Sequence, residues 1–151
     1  MATESPRLRA VFDTNAIIAA LKSNHPDSPN VELIRRWQNG EFDLLYSLGL
    51  RSEYSEKFET RSVESQRSKQ FLASLTERGI LIDVPSVEVA PVITQDPDDD
   101  VILTCATKGK ATHLVTYDPH FDSLGEIYRG VQILRPLYFL YLVRGDTPSR
   151  L

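Results

Sequence analysis

The chain has a single cysteine, which excludes an internal disulfide framework and any zinc site built on cysteines. Cys105 stands in an apolar stretch and reads as a small core residue. Long hydrophobic runs are missing too. The longest, Leu137 to Val143, falls well short of a membrane span. The first residues, Met1 to Arg7, lack the charged-then-apolar order of a signal peptide. A reducing, cytoplasmic setting without a membrane is therefore expected. Basic excess is absent as well: 17 Lys and Arg face 21 Asp and Glu, a net charge of −4. This balance does not suggest nonspecific nucleic-acid binding through a basic surface, although acids gathered in one place leave room for a basic rim. There is no Gly-rich phosphate loop, no Gly-x-Ser-x-Gly elbow and no Cys–His arrangement for covalent catalysis.

What is present is an ordinary composition for a folded chain, 41% hydrophobic and 25% charged over 151 residues. That length suits one domain with its own core. Arg9–Phe12 reads as a short strand, Asp13-Thr14-Asn15 as a polar turn, and Ala16–Leu21 as a buried helix. Ser23 to Asn30 reads as a loop. Val31, Ile34 and Trp37 recur at helical spacing, with Gly40 closing the segment. A second strand is expected at Asp43–Ser47, followed by a helical stripe of Leu50, Tyr54 and Phe58. Val63 to Arg78 reads as a helix ended by Gly79, and Ile80 to Val84 as a third strand stopped by Pro85. Asp96-Pro97-Asp98-Asp99 has the form of a helix start. His113–Thr116 and Val131–Leu134 give a fourth and fifth strand. Pro136 to Val143 reads as a closing amphipathic helix, with a strand as the alternative. Strands alternating with helices predict an α/β fold: three α/β/α layers with a central, mostly parallel sheet of about five strands. The domain is expected over 9–144, with flexible termini at 1–8 and 145–151.

In such a sheet ligands bind beyond the carboxyl ends of the strands. Asp13 follows the first strand and Asp118 the fourth. Glu53 lies in the helix after the second, and Asp96, Asp98, Asp99 and Asp100 open the helix before the fourth. Each acid has a plain structural role open to it: a cap, a turn residue, a solvated position, a partner of the helix dipole. A shared site accounts for their common placement at once. Carboxylates a few ångströms apart repel, so one must take a proton or find a cation. For an all-oxygen site the usual cation is Mg²⁺ or Mn²⁺. No His or Cys stands beside these acids at a metal-ligand spacing, which disfavours zinc.

These pieces carry a resemblance. Val11-Phe12-Asp13-Thr14-Asn15, Ser52-Glu53-Tyr54, Asp96-Pro97-Asp98-Asp99-Asp100 with Ile102, Leu103 and Ala106, and Leu114-Val115-Thr116-Tyr117-Asp118 resemble PIN-domain ribonucleases, in particular the VapC-like toxin components of bacterial toxin–antitoxin systems. The order of motifs covers about residues 9 to 144. The resemblance implies an endoribonuclease dependent on Mg²⁺ or Mn²⁺. Its four core acids carry over to Asp13, Glu53, Asp99 and Asp118. Asp99 is chosen because it precedes Ala106 by the family's usual interval, and Asp100 is a further candidate ligand. Asn15 and Thr116 match positions that support the acids by hydrogen bonding. One departure is Tyr117-Asp118-Pro119-His120, where the subgroup commonly has Gly-Asp-Lys-Asp. An acid associated with a second metal is missing there.

The implied substrate is single-stranded RNA, and the implied partner an antitoxin protein. Family members often pair as homodimers, and Tyr138, Phe139 and Tyr141 read as exposed rings able to pack on the core or on a second copy. Arg51, Lys57 and Arg61, with Arg67 and Lys69, are candidates for phosphate contacts, or else a solvated face balanced by Glu56, Glu59 and Glu64. His120 stands near the rim, within reach of substrate. The alternative function is a catalytically silent PIN-like module that binds RNA or protein. A receiver-like phosphoacceptor is disfavoured, because Asp13 has no acidic neighbour and no Lys follows the late strand.

Overall fold

The computed structural model describes residues 7–85 and 97–146. The expected cap Asp96 and most of the two expected flexible termini lie outside these residues, as does the side chain of Asp98. Along the chain run β1 (Arg9–Phe12), α1 (Thr14–Lys22), α2 (Pro29–Gln38), β2 (Asp43–Tyr46), α3 (Leu48–Thr60), α4 (Ser65–Arg78) and β3 (Ile80–Leu81). They are followed by α5 (Pro97–Lys108), β4 (His113–Val115), a 3₁₀ turn at Pro119–Leu124, β5 (Ile127–Tyr128), β6 (Val131–Leu134) and α6 (Pro136–Arg144).

The six strands form one sheet in the order β3-β2-β1-β4-β6-β5. All neighbours are parallel except β5 and β6. β1 lies at the centre, with Ala10 opposite both Leu44 and His113. Successive strand side chains alternate between faces. Phe12 and His113 both pack on the ring of Phe139 from α6, so α6 covers one face. α5 packs across β1, β2 and β4 on the other, where Val11 and Leu114 point. Phe12, Phe42 and Phe139 form one aromatic centre, stacked and edge-on at 5.2–5.9 Å. Tyr54, Phe58 and Phe71, with Trp37 on Phe71, form a second beneath α3 and α4. Leu8 packs against this core, and Arg7 donates to Asp43 and to the carbonyl of Gly40.

Four details differ from the sequence reading. Asn30, read as loop, is inside α2, because Pro29 takes the first helical position after Ser28. Its buried amide donates to the carbonyl of Ala16. The third strand is two residues long rather than reaching Val84. Its partner β2 stops at Tyr46, where Ser47 caps α3, so beyond the bond from Ile82 N–H to the Tyr46 carbonyl β2 offers no further ladder. A sixth strand, β5, was not expected. It pairs with β6 through Arg129-Gly130, both at positive φ (49° and 82°), the two-residue turn that matches strand twist. Phe139 is fully buried rather than exposed, whereas Tyr138 remains half exposed.

Candidate metal centre

β1 delivers Asp13 to the carboxyl edge of the sheet. Its N–H still bonds the carbonyl of Val115, which fixes it beside the end of β4. Asp13 occupies the N-cap position of α1, yet its carboxylate makes no capping bond. It accepts instead from the Thr116 hydroxyl at 2.7 Å and is only 4% exposed. Capping therefore does not account for this acid.

Thr116 connects two of the acids. Its hydroxyl oxygen also accepts the N–H of Asp118 at 2.9 Å, which orients the turn after β4. Asp118 caps the following 3₁₀ turn by accepting from the His120 N–H at 2.9 Å. Just before that turn, Tyr117 donates to Asn30 of α2, whose amide is already anchored on α1. The Asp118 turn is thus tied to α2 and, through Asn30, to α1.

Glu53 comes from the second turn of α3. Its Oε2 accepts from the Thr14 hydroxyl at 2.7 Å. The neighbouring Tyr54 is fully buried and donates its hydroxyl to the Phe12 carbonyl, so α3 is latched to the end of β1 one residue from Asp13. Burial pushes the Tyr54 phenol well above its ordinary pKa, so it stays a donor. Asp99 and Asp100 lie in the first turn of α5, where the helix dipole favours negative charge. Both are buried, at 3% and 4% exposure.

Asp13, Glu53, Asp99 and Asp118 line one small cavity of about 80 Å³. Thr14, Asn15, Lys57 and Arg61 complete its wall. Asp100 is not among the lining residues, nor is Arg51. Arg67 is engaged elsewhere: it donates to the carbonyls of Leu21 and Ser23, which closes the loop after α1. Lys69 is exposed on α4. Asn15 is exposed at the cavity rim, and the bond to an acid is made next door by Thr14.

The expectation that no histidine stands beside the acids is corrected. His120 Nδ1 is 3.0 Å from Asp99 Oδ2 and 3.3 Å from Asp118 Oδ1. The Asp118-Pro119-His120 turn folds back on itself through the capping bond, a geometry that linear spacing does not display. Potential ligand atoms of Asp99, Asp118 and His120 all lie within 4.8 Å of one another. Thr14 and Tyr54 were thus missed as site residues, and His120, expected near the rim as a substrate contact, was missed as a neighbour of Asp99 and Asp118. Only for the first was there a signal, its place directly after Asp13.

The donors are mainly carboxylate oxygens around a small cavity, a set suited to a hard divalent cation with some of its waters. Lys57 and Arg61 add positive charge on one side, where an anion could approach. An α/β sheet carrying an acid pocket at its carboxyl edge defines a class of protein with phosphate-directed, cation-assisted chemistry open to it.

A family model described as PIN domain matches residues 9–120, and the chain belongs to the PIN domain family. Among solved structures it resembles VapBC2 from Rickettsia felis bound to a DNA fragment from their promoter. The TM-score is 0.56 at 19% identity, over 83% of this chain and 98% of that one. At this identity the likeness is one of fold. No curated protein sequence matches significantly. Among the described residues no helix is long and apolar enough to cross a membrane.

Proposed function

We propose that the protein is a Mg²⁺- or Mn²⁺-dependent endoribonuclease that hydrolyses phosphodiester bonds in single-stranded RNA, acting in the cytoplasm as the toxin of a toxin–antitoxin pair. The observation that carries this reading is Asp13: a buried carboxylate at a cap position that does not cap, sharing a cavity with Glu53, Asp99 and Asp118. Family membership supports the nuclease chemistry. The Rickettsia felis complex supports an antitoxin partner, and a homodimer is what the family resemblance implies for the toxin itself.

In this mechanism Asp13, Asp99 and Asp118 would hold the principal cation, and Asp100, which does not line the cavity, would be a candidate only for an outer contact. A bound divalent ion supplies charge neutralisation at the phosphodiester and an acidified water. Thr116 keeps Asp13 and the Asp118 turn in register. Glu53, oriented by Thr14, completes the shell or takes a proton from the attacking water. Lys57 and Arg61 steady the phosphate, with Arg51 as a more distant contact. The water oxygen joins phosphorus as the bond to the leaving oxygen breaks, and that oxygen takes a proton from solvent.

The test uses purified protein, labelled single-stranded RNA, and Mg²⁺ or Mn²⁺ against a chelator. Cleavage should require the ion and vanish in Asp13→Asn while the circular dichroism spectrum is kept. Undiminished cleavage by that variant would remove the site assignment. RNA binding without cutting under either metal would favour the silent binding module instead.

A further inference from the structure

A second and larger cavity, of about 350 Å³, lies between β6, α6 and the turn after β4, with Thr116 in its wall. Thr116, Asp122, Glu126, Gln132, Arg135 and Tyr138 are among its lining residues. Thr116 joins the two places. Its hydroxyl bonds Asp13, while its carbonyl accepts from Arg135 Nη1 at 3.3 Å. Thr116 thus stands between the larger cavity and Asp13, in contact with both.

The lining points to an occupant. The volume lies at the low end of small-molecule sites. Tyr138 is 50% exposed and offers a ring, the platform on which single-stranded bases stack. Asp122 and Glu126 are exposed carboxylates, outnumbering the guanidinium of Arg135. Two carboxylates against one cation disfavour a phosphate here. They favour a base edge that donates, as a carboxylate accepts from the amino group of cytosine. Uracil presents a carbonyl at the same position and would be repelled.

We infer that this cavity is a nucleobase subsite, taking a base with an exocyclic amino group from the strand that crosses the acids. The inference rests on the nuclease reading for the origin of that strand, but its test needs neither metal nor cleavage. Cytidine and uridine are titrated separately into the metal-free protein and followed by amide chemical shifts. Cytidine should perturb Gln132 to Arg135 and Tyr138, and bind more tightly than uridine. Tyr138→Ala should weaken cytidine by about fivefold or more, the loss expected of a stacking ring. Asp122→Asn combined with Glu126→Gln should erase the preference for cytidine. Leu81→Ala, exposed on β3 at the opposite edge of the sheet, should bind as wild type does.

Cytidine shifts that are absent or lie elsewhere would overturn the subsite, as would a Tyr138→Ala protein that binds undiminished. So would a Tyr138→Ala protein that changes from dimer to monomer in sedimentation while cytidine perturbs nothing, since the face would then belong to a second copy. Failure of the nuclease reading is distinguishable: cytidine would bind as described, and no RNA would be cut in Mn²⁺.

Discussion

At the scale of single residues, the site depends on hydroxyls as much as on acids. Thr116 donates to one carboxylate and accepts from the backbone beside another, two bonds that valine cannot make. A bond to a charged group is worth about 1.5–3 kcal/mol, so Thr116→Val should lower cleavage by roughly 10- to 100-fold. Thr116→Ser, which keeps the hydroxyl, should recover most of it. Equal rates for the two variants would mean that the hydroxyl does not position Asp13. The adjacent acids of α5 should separate in the same assay. A helix turns about 100° per residue, so Asp98, Asp99 and Asp100 cannot share one direction. Asp99 lines the cavity while Asp100 is buried outside it. Asp99→Asn should be the severe variant, Asp100→Asn intermediate and Asp98→Asn mild. Greatest damage from Asp98→Asn would show that another face of α5 meets the substrate.

At the scale of elements, α6 is held to α2 by an ion pair across 112 residues of sequence. Arg144 binds Glu32 through two nitrogens, and Arg36 binds the same carboxylate at 2.8 Å. The hydrogen bond from Arg144, opposed by burial and reinforced by Arg36, holds the Glu32 carboxyl at a pKa of about 2, against 4.5 ordinarily. A carboxyl depressed on folding stabilises fully above its unfolded pKa and loses that contribution as pH falls toward the folded value. The Tm difference between wild type and Glu32→Gln should therefore be greatest near neutrality. It should fall to under about half by pH 3, following linkage between those two pKa values. A difference unchanged from pH 7 to pH 3 would show that the pair does not carry the acid dependence. This pairing was not legible in the sequence, because nothing local links Glu32 to Arg144. The β5–β6 hairpin escaped for another reason: its turn uses Arg129 at positive φ, where Asn or Asp would have signalled it. By contrast, β1, its turn and α1 were legible from Arg9 to Leu21, since apolar strand, polar turn and apolar helix follow each other directly. The acids were legible as strand-end residues, and a parallel sheet brings such ends to one edge. The place of His120 near the rim was legible, but its approach to Asp99 was not, because the fold-back of the Asp118 turn makes it.

At the scale of the whole molecule, the site and the stability of the fold are one problem. Four carboxylates from β1, α3, α5 and the turn after β4 meet only when the chain is folded. Their mutual repulsion weakens the folded state and leaves the unfolded chain, where they separate, little affected. A cation that binds the folded arrangement must therefore stabilise it. At free metal about 100 times its dissociation constant, linkage adds roughly 2.7 kcal/mol. In a domain near this size each 1 kcal/mol is worth about 2–4 °C, so saturating Mn²⁺ should raise Tm by about 5–11 °C. His120 changes what is expected of the variants. It contacts Asp99 and Asp118, so Asp99→Asn gives up a hydrogen bond as well as a repulsion. The Tm of that variant without metal consequently has no fixed sign, and the response to metal becomes the test. Asp13→Asn, Asp99→Asn and Asp118→Asn should each gain clearly less from Mn²⁺ than wild type does. Asp43→Asn, at the opposite end of β2 and paired with Arg7, should show the wild-type gain even though its own Tm falls. An equal metal shift in wild type and all three site variants would mean that the cation binds elsewhere on the surface, and the metal centre would be withdrawn whatever the family of the fold.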